Sequence, residues 1–315
     1  MPQFAPQELA EQLKDGLLSF PVTAFGADLR LDEAAYRSHL DWQASHGVAG
    51  LFAAGGTGEG FSLTPAESAR VVQLAVDVAG DRVPVLASAG GSTAQAVENA
   101  RAAEAAGAEG LLLLPPYLTE CDQAGLLAHV DAVCSATSIA VIVYNRANAI
   151  YSAETVVRLA ERHPNFIGFK DATGDIEAVT RVVARAGDRL FYLGGLPTAE
   201  TFALPMLQLG MSTYSSAMYN FVPEFALEFY ADVRRQDRVA VTEKLNRFVL
   251  PYLDIRDRVK GYGVSIVKGG LKAVGRDAGS VRPPLQDLAE QDLADLTALI
   301  DTAGIRPADA ALVTA

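Results

Sequence analysis

The feature that most constrains this chain is a repeated unit. A short apolar run ending in glycine or polar residues is followed by an alanine-rich stretch with helical spacing. The runs are GLLSFPVTAF at 16–25, AGLFAAGG at 49–56, VPVLASAGG at 83–91, EGLLLLPP at 109–116, IAVIVYN at 139–145, FIGFKDAT at 166–173, LFYLGG at 190–195 and MSTYSSA at 211–217. Between successive runs there is room for one crossover helix. Their near-continuous apolar character suits parallel strands covered on both faces. Eight such units in sequence predict an α/β fold, a (β/α)8 barrel in preference to an open doubly wound sheet. The open sheet also lacks its nucleotide fingerprint, since no run carries GxGxxG with an acidic residue about 20 positions on.

Local signals agree. Thr64-Pro65-Ala66-Glu67 has the form of a capping box with proline at the first helical position, and Ser92-Thr93-Ala94-Gln95 repeats it with glutamine. Gly107 stands where a helix over about 95–106 needs a left-handed terminating residue. Beyond residue 220 the stretch FVPEFALEFYADVRRQDRVAVTEKLNRFVLPYLDIRDR reads as helix, with no further strand–glycine turns. The expected organisation is a barrel with an N-terminal extension over 1–235 and a helical domain over 236–315.

Composition removes several function classes. With 50% hydrophobic and 20% charged residues the chain can build a core. A net charge of −12 argues against nucleic acid or an anionic membrane surface as partner. No run of about 18 apolar residues offers a membrane span. The opening MPQFAPQELAEQLKDG lacks the apolar region of a signal peptide. The two cysteines, Cys121 and Cys134, form no CxxC pair, which fits a reducing cytoplasm and neither a disulfide framework nor structural zinc. His39, His46, His129 and His163 lack metal-ligand spacing, so no metal is expected. No GxSxG elbow is present.

In such a barrel the chemistry sits where strands end. The sixth run ends in Phe169-Lys170-Asp171-Ala172-Thr173. A lysine in an apolar strand is either a desolvated amine that attacks a carbonyl, or one that snorkels out or pairs with an acid; the mouth position favours the nucleophile. The fifth run ends in Tyr144-Asn145-Arg146. The phenol can pass a proton or simply fill the upper barrel, and the guanidinium can hold a carboxylate or pair with a surface acid. The second run ends in Gly55-Gly56-Thr57-Gly58-Glu59-Gly60, a turn able to present successive N–H groups to an anion, or one needing glycine only for its dihedrals. It lacks the P-loop lysine, so a nucleotide is not expected.

Together, GGTGE after the second run, YN ending the fifth and IGFKDATGD around Lys170 resemble the dihydrodipicolinate synthase/N-acetylneuraminate lyase superfamily of class I Schiff-base enzymes. The resemblance runs from about residue 16 to the helical tail. It implies a (β/α)8 barrel with a C-terminal helical domain, a homotetramer built as a dimer of dimers, and no cofactor. By this resemblance Lys170 forms the imine, Tyr144 shuttles protons, and the Gly56 and Thr57 amides hold the carboxylate of a 2-oxo acid. Tyr117, in Leu114-Pro115-Pro116-Tyr117, would reach a neighbouring subunit's site.

The departures bear on substrate. Gly56 replaces the hydroxyl residue of the synthases, Ala149 falls near their substrate-binding arginine, and Tyr144-Asn145-Arg146-Ala147-Asn148 lacks their usual proline. These differences resemble a decarboxylating dehydratase branch that acts on a six-carbon 2-oxo-3-deoxy sugar diacid in hexarate breakdown. Arg146, Asn148, Thr198, Ser215 and Ser216, all at or past strand ends, are then the expected donors to the distal end of the substrate. Two alternatives remain at this stage: a retro-aldolase releasing pyruvate from a 2-oxo-3-deoxy sugar acid, and a non-catalytic sugar-acid-binding barrel.

Overall fold

A computed structural model describes residues 2–308. Eight parallel strands pair in chain order: β1 (Leu18–Ser19), β2 (Gly50–Phe52), β3 (Val85–Gly91), β4 (Gly110–Pro116), β5 (Ala140–Asn145), β6 (Phe166–Asp171), β7 (Phe191–Gly194) and β8 (Thr213–Tyr214). A parallel bridge between Leu18 and Ser215 joins the first strand to the last and closes the sheet on itself. Each strand lies inside one of the eight apolar runs, and the expected barrel is the one present.

The helices alternate with the strands. Ahead of β1 lies α1 (Pro6–Lys14); then come α2 (Glu33–Ala44), α3 (Pro65–Ala79), α4 (Thr93–Ala105), α5 (Gln123–Cys134), α6 (Ala153–Arg162), α7 (Ile176–Ala186), α8 (Glu200–Gln208) and α9 (Pro223–Arg234). Both capping boxes form: Thr64 and Glu67 exchange side-chain and backbone bonds at the start of α3, and Ser92 and Gln95 do so at α4. Gly107 has φ of 84° just past α4, the left-handed stop that the sequence calls for.

Two apolar clusters follow from this geometry. One fills the layer between sheet and helices. The other fills the barrel itself with Leu18, Phe20, Phe52, Leu86, Leu112, Ile142 and Leu193. Leu9, Ala10 and Leu13 of α1 belong to the inner cluster, and Gln3 and Phe4 donate backbone N–H groups to Glu109 just ahead of β4. The N-terminal extension therefore plugs the end of the barrel where strands begin, leaving the other end open.

Beyond α9 the chain is helical: α10 (Arg238–Lys244), a π-helical turn over Leu245–Val249, α11 (Leu250–Arg256), α12 (Tyr262–Ala273) and α13 (Glu290–Thr302). Phe248 lies 5.1 Å from Phe225 of α9, and Tyr252 lies 6.0 Å from Phe221, so aromatic contacts join this tail to the barrel. Gly270 lets α12 lie against Phe221, where a Cβ would come within 2.6 Å of the ring.

The segment after α12 returns to the strand-end face. Arg282 donates to both carboxylate oxygens of Glu67 and to the carbonyls of Leu29 and Ser62. This guanidinium, with help from the Thr64 cap, lowers the Glu67 pKa from 4.5 to about 2. A carboxyl held below its unfolded value stabilises the fold above about pH 4.5 and loses that contribution as pH falls toward 2. Glu67→Gln should therefore lower the folding stability at pH 7 by roughly 1–2 kcal/mol for a partly solvated pair, with a correspondingly lower unfolding midpoint, and converge on the parent near pH 2. Thermal unfolding of both proteins between pH 7 and 2 checks this; a constant difference would contradict it.

Candidate active site

The register decides what the open end contains. Tyr144 of β5 lies directly beside Lys170 of β6, which lies beside Leu193 of β7. Lys170 is 4% exposed. Its Nζ sits 4.0 Å from the centre of the Phe20 ring and 4.8 Å from that of Tyr144, and donates to Ser215 Oγ at 3.3 Å. Among the described residues no carboxylate pairs with it. Asp171, the neighbour that might have done so, accepts instead from Asn145 Nδ2 at 2.7 Å, Thr173 Oγ1 at 2.8 Å and the Gly174 amide.

An ammonium enclosed by rings and hydroxyl loses its hydration without gaining a counter-charge. Burial, with a smaller push from the Arg146 charge, lowers the Lys170 pKa from 10.5 to about 7. That corresponds to about 5 kcal/mol against the ammonium, so near neutrality a large fraction of the amine is unprotonated and able to attack a carbonyl.

Tyr144 donates its phenol proton to the Gly195 carbonyl at 2.8 Å and accepts from Arg146 Nη1 at 3.2 Å. Burial raises its pKa, and the guanidinium works against that rise. Gly195 admits no side chain: a Cβ there would fall 2.7 Å from Lys170 Cε and 2.8 Å from the Tyr144 ring. The glycine ending the seventh run is thus what lets lysine and tyrosine share the mouth.

Across the barrel, the turn after β2 is fixed by Glu59 N–H to Gly56 O at 3.1 Å, Gly60 N–H to Gly55 O at 2.9 Å and Thr23 Oγ1 to Gly58 O at 2.6 Å. Gly56 is exposed and Thr57 half-buried. Among the described residues neither of their N–H groups has a hydrogen-bond acceptor. Two non-glycine residues of this turn are left-handed, Ala54 and Glu59, each with φ of 53°.

The remaining expected residues divide. Ser215 bonds to Lys170, while Ser216 gives its hydroxyl to buried Glu200 at 2.5 Å and accepts from the Tyr219 amide. Asn148 donates to the carbonyls of Pro116 and Thr119, tying its loop to the one that carries Tyr117. Tyr117 and Leu118 stand 75% and 85% exposed. Thr198, at φ of 56°, accepts from Arg256 Nη1 of α11 at 2.6 Å and keeps its own proton for another acceptor. Arg146 lies against the Tyr144 phenol.

Phe20, Gly195, Glu200 and Arg256 were not singled out by the sequence. Phe20 reads as core, and Arg256 lies in a helix far along the chain. Only the double glycine of the seventh run carried a signal.

The profile of the dihydrodipicolinate synthetase family matches residues 13–303. The chain belongs to that family. Among relatives within the dihydrodipicolinate synthetase family, a protein of Arthrobacter sp. (strain FB24) named "Probable 5-dehydro-4-deoxyglucarate dehydratase" is 76% identical over 302 residues, covering 96% of this chain and 99% of the relative. A protein of Corynebacterium glutamicum with the same name is 70% identical, covering 96% of each chain. Among solved structures, dihydrodipicolinate synthase from Bacillus clausii is 26% identical with a TM-score of 0.86, covering 93% of this chain and 99% of that one. The chloride-inhibited synthase of Acinetobacter baumannii, complexed with pyruvate, is 29% identical with a TM-score of 0.82, covering 92% and 99%.

In this member of the dihydrodipicolinate synthetase family, imine formation should follow the unprotonated fraction of Lys170. Borohydride trapping with pyruvate should accelerate with pH, with its midpoint near pH 7. Arg146→Ala removes the positive charge that lowers this pKa, so its midpoint should move upward and trapping at pH 7 should slow. A midpoint that stays or falls would contradict the electrostatic account.

Proposed function

We propose that the protein is a class I Schiff-base lyase that converts 5-dehydro-4-deoxy-D-glucarate to 2,5-dioxopentanoate, water and CO2. The single observation that carries this reading is Lys170, buried at the open end of the barrel with no counter-ion among the described residues, in a chain 76% identical over almost its whole length to a relative of that name. With the substrate numbered from its oxo end, the Gly56 and Thr57 amides hold the C1 carboxylate next to the ketone, which brings C2 to Lys170. The amine adds to C2 and water leaves, giving an iminium that acidifies the C3 protons.

Tyr144 takes part in removing a C3 proton, its phenol poised between the Gly195 carbonyl and Arg146. The enamine expels the C4 hydroxyl as water and leaves an iminium conjugated with a C3–C4 double bond. The electrons of the C5–C6 bond then flow through C4 and C3 to nitrogen, and CO2 departs. Protonation, tautomerisation of the C5 enol and hydrolysis free the product and return the amine. Lysine serves as both anchor and electron sink. Thr198 and Ser215 serve as donors to the distal part of the substrate, and Arg146 acts beside Tyr144.

The exposed Tyr117–Leu118 tip supports a homo-oligomer, with a tetramer as the proposed state, since such an apolar projection is better covered by a second copy than by water. Residues Cys121 and Cys134 are both free, which suits the cytoplasm as the compartment. No helix among the described residues is long and apolar enough to cross a membrane.

Incubation with the diacid and product analysis tests the reading: one CO2 and one 2,5-dioxopentanoate per substrate is expected. Pyruvate would mark a retro-aldolase, and neither product would mark a binding protein. Lys170→Ala should abolish turnover and borohydride labelling together. Tyr144→Phe should keep the trapped imine while losing about 10²-fold in kcat; near-normal turnover would remove the phenol from the proton path.

A further inference from the structure

The turn that carries Gly56 and Thr57 is tied to the C-terminal helices by one buried ion pair. Glu59 Oε1 lies 2.8 Å from Lys268 Nζ of α12, with side chains 0% and 3% exposed. The other oxygen, Glu59 Oε2, accepts the Arg282 backbone N–H at 2.9 Å. Lys268 also donates to the Ser280 carbonyl at 2.9 Å and sits 4.3 Å from the centre of the Phe25 ring. Glu59 is itself a left-handed residue of the turn, and its own N–H closes on Gly56 O. Its carboxylate is therefore anchored in the helical segment while its backbone shapes the turn.

A buried ion pair is a poor source of stability. The desolvation of two charges offsets most of their attraction, and a well-packed apolar pair often does as well. What the pair does supply is position and charge balance. An unpaired carboxylate beside two amides awaiting an anion would repel that anion, and Lys268 cancels it.

We propose that the Glu59–Lys268 pair is a positioning element by which the C-terminal helices set the Gly56 and Thr57 amides for the substrate carboxylate. This rests on the reading that those amides bind the 2-oxo acid. Neither residue touches substrate. Affinity for any 2-oxo acid should thus depend on the pair, while the chemistry at Lys170, on the opposite strands, should not.

The test uses the full-length protein, with pyruvate as probe and borohydride trapping at Lys170 as readout. Glu59→Gln and the double variant Glu59→Leu/Lys268→Met should raise the half-saturating pyruvate concentration about ten-fold, with the trapping rate at saturation within about two-fold of the parent. Lys268→Met alone should be worse than the double variant, because it leaves the carboxylate buried and uncompensated. Thermal midpoints separate position from stability. Folded variants with the parent's half-saturation would overturn the proposal, whatever their midpoint. If the double variant does not fold, Glu59→Gln decides, since it keeps the side-chain size and an oxygen for Arg282. Should the parent itself show no trapping by any 2-oxo acid, the functional reading fails instead, and the two failures are distinct.

Discussion

Everything at the open end of the barrel depends on one enclosed amine. Lys170 stands among Phe20, Tyr144 and Ser215, groups that take away water and give back no negative charge. The barrel makes this arrangement affordable because the amine's stem is itself packed, against the face of Gly195. Asp171, one residue away, would have restored the ammonium had its side chain turned inward. The alternation of a strand sends it to the other face, where Asn145 and the Thr173–Gly174 amides occupy it.

The second constraint is distance across the barrel. The glycine turn after β2 and the lysine on β6 lie on opposite sides of an eight-stranded ring, so a 2-oxo acid can reach both only if the turn leans over the mouth. Two residues from the end of the chain hold the turn, one in the coil after α12 and one on α12 itself. Arg282 contacts Leu29, Ser62 and Glu67, and its own N–H reaches Glu59, while Lys268 meets Glu59 from α12. The tail is therefore part of the site's scaffold. In a protein of net charge −12, the open end carries the Arg146 guanidinium, and the buried carboxylate of the glycine turn is paired with Lys268.

The strands were legible because burial on both faces demands continuous apolar runs, and the caps because they are local exchanges between residues three apart. The same locality explains what was not legible. Ser216 looks like Ser215 in sequence, yet the strand pleat gives one hydroxyl to Lys170 and the other to Glu200. Arg146 reads as a donor for a distant carboxylate, but the tight turn from Arg146 to Ala149 folds it back onto Tyr144. Asn148 is drawn off by the carbonyls of the neighbouring loop. The two serines and Asn148 turn on contacts between elements far apart along the chain, and Arg146 on the backbone of its own turn.

The sequence by itself determined the repeating strand–helix unit, the strand ends that carry Lys170, Tyr144 and the glycine turn, and the helical character of the tail. These follow from spacing and chemical type along a single stretch of chain. Tertiary structure decided which of two adjacent polar residues faces the mouth, which aromatic rings strip the water from Lys170, and which distant helix holds the turn. Those choices are made by strand register and by long-range packing, and charge and hydration at a buried amine answer to its neighbours in space, whatever their separation in sequence.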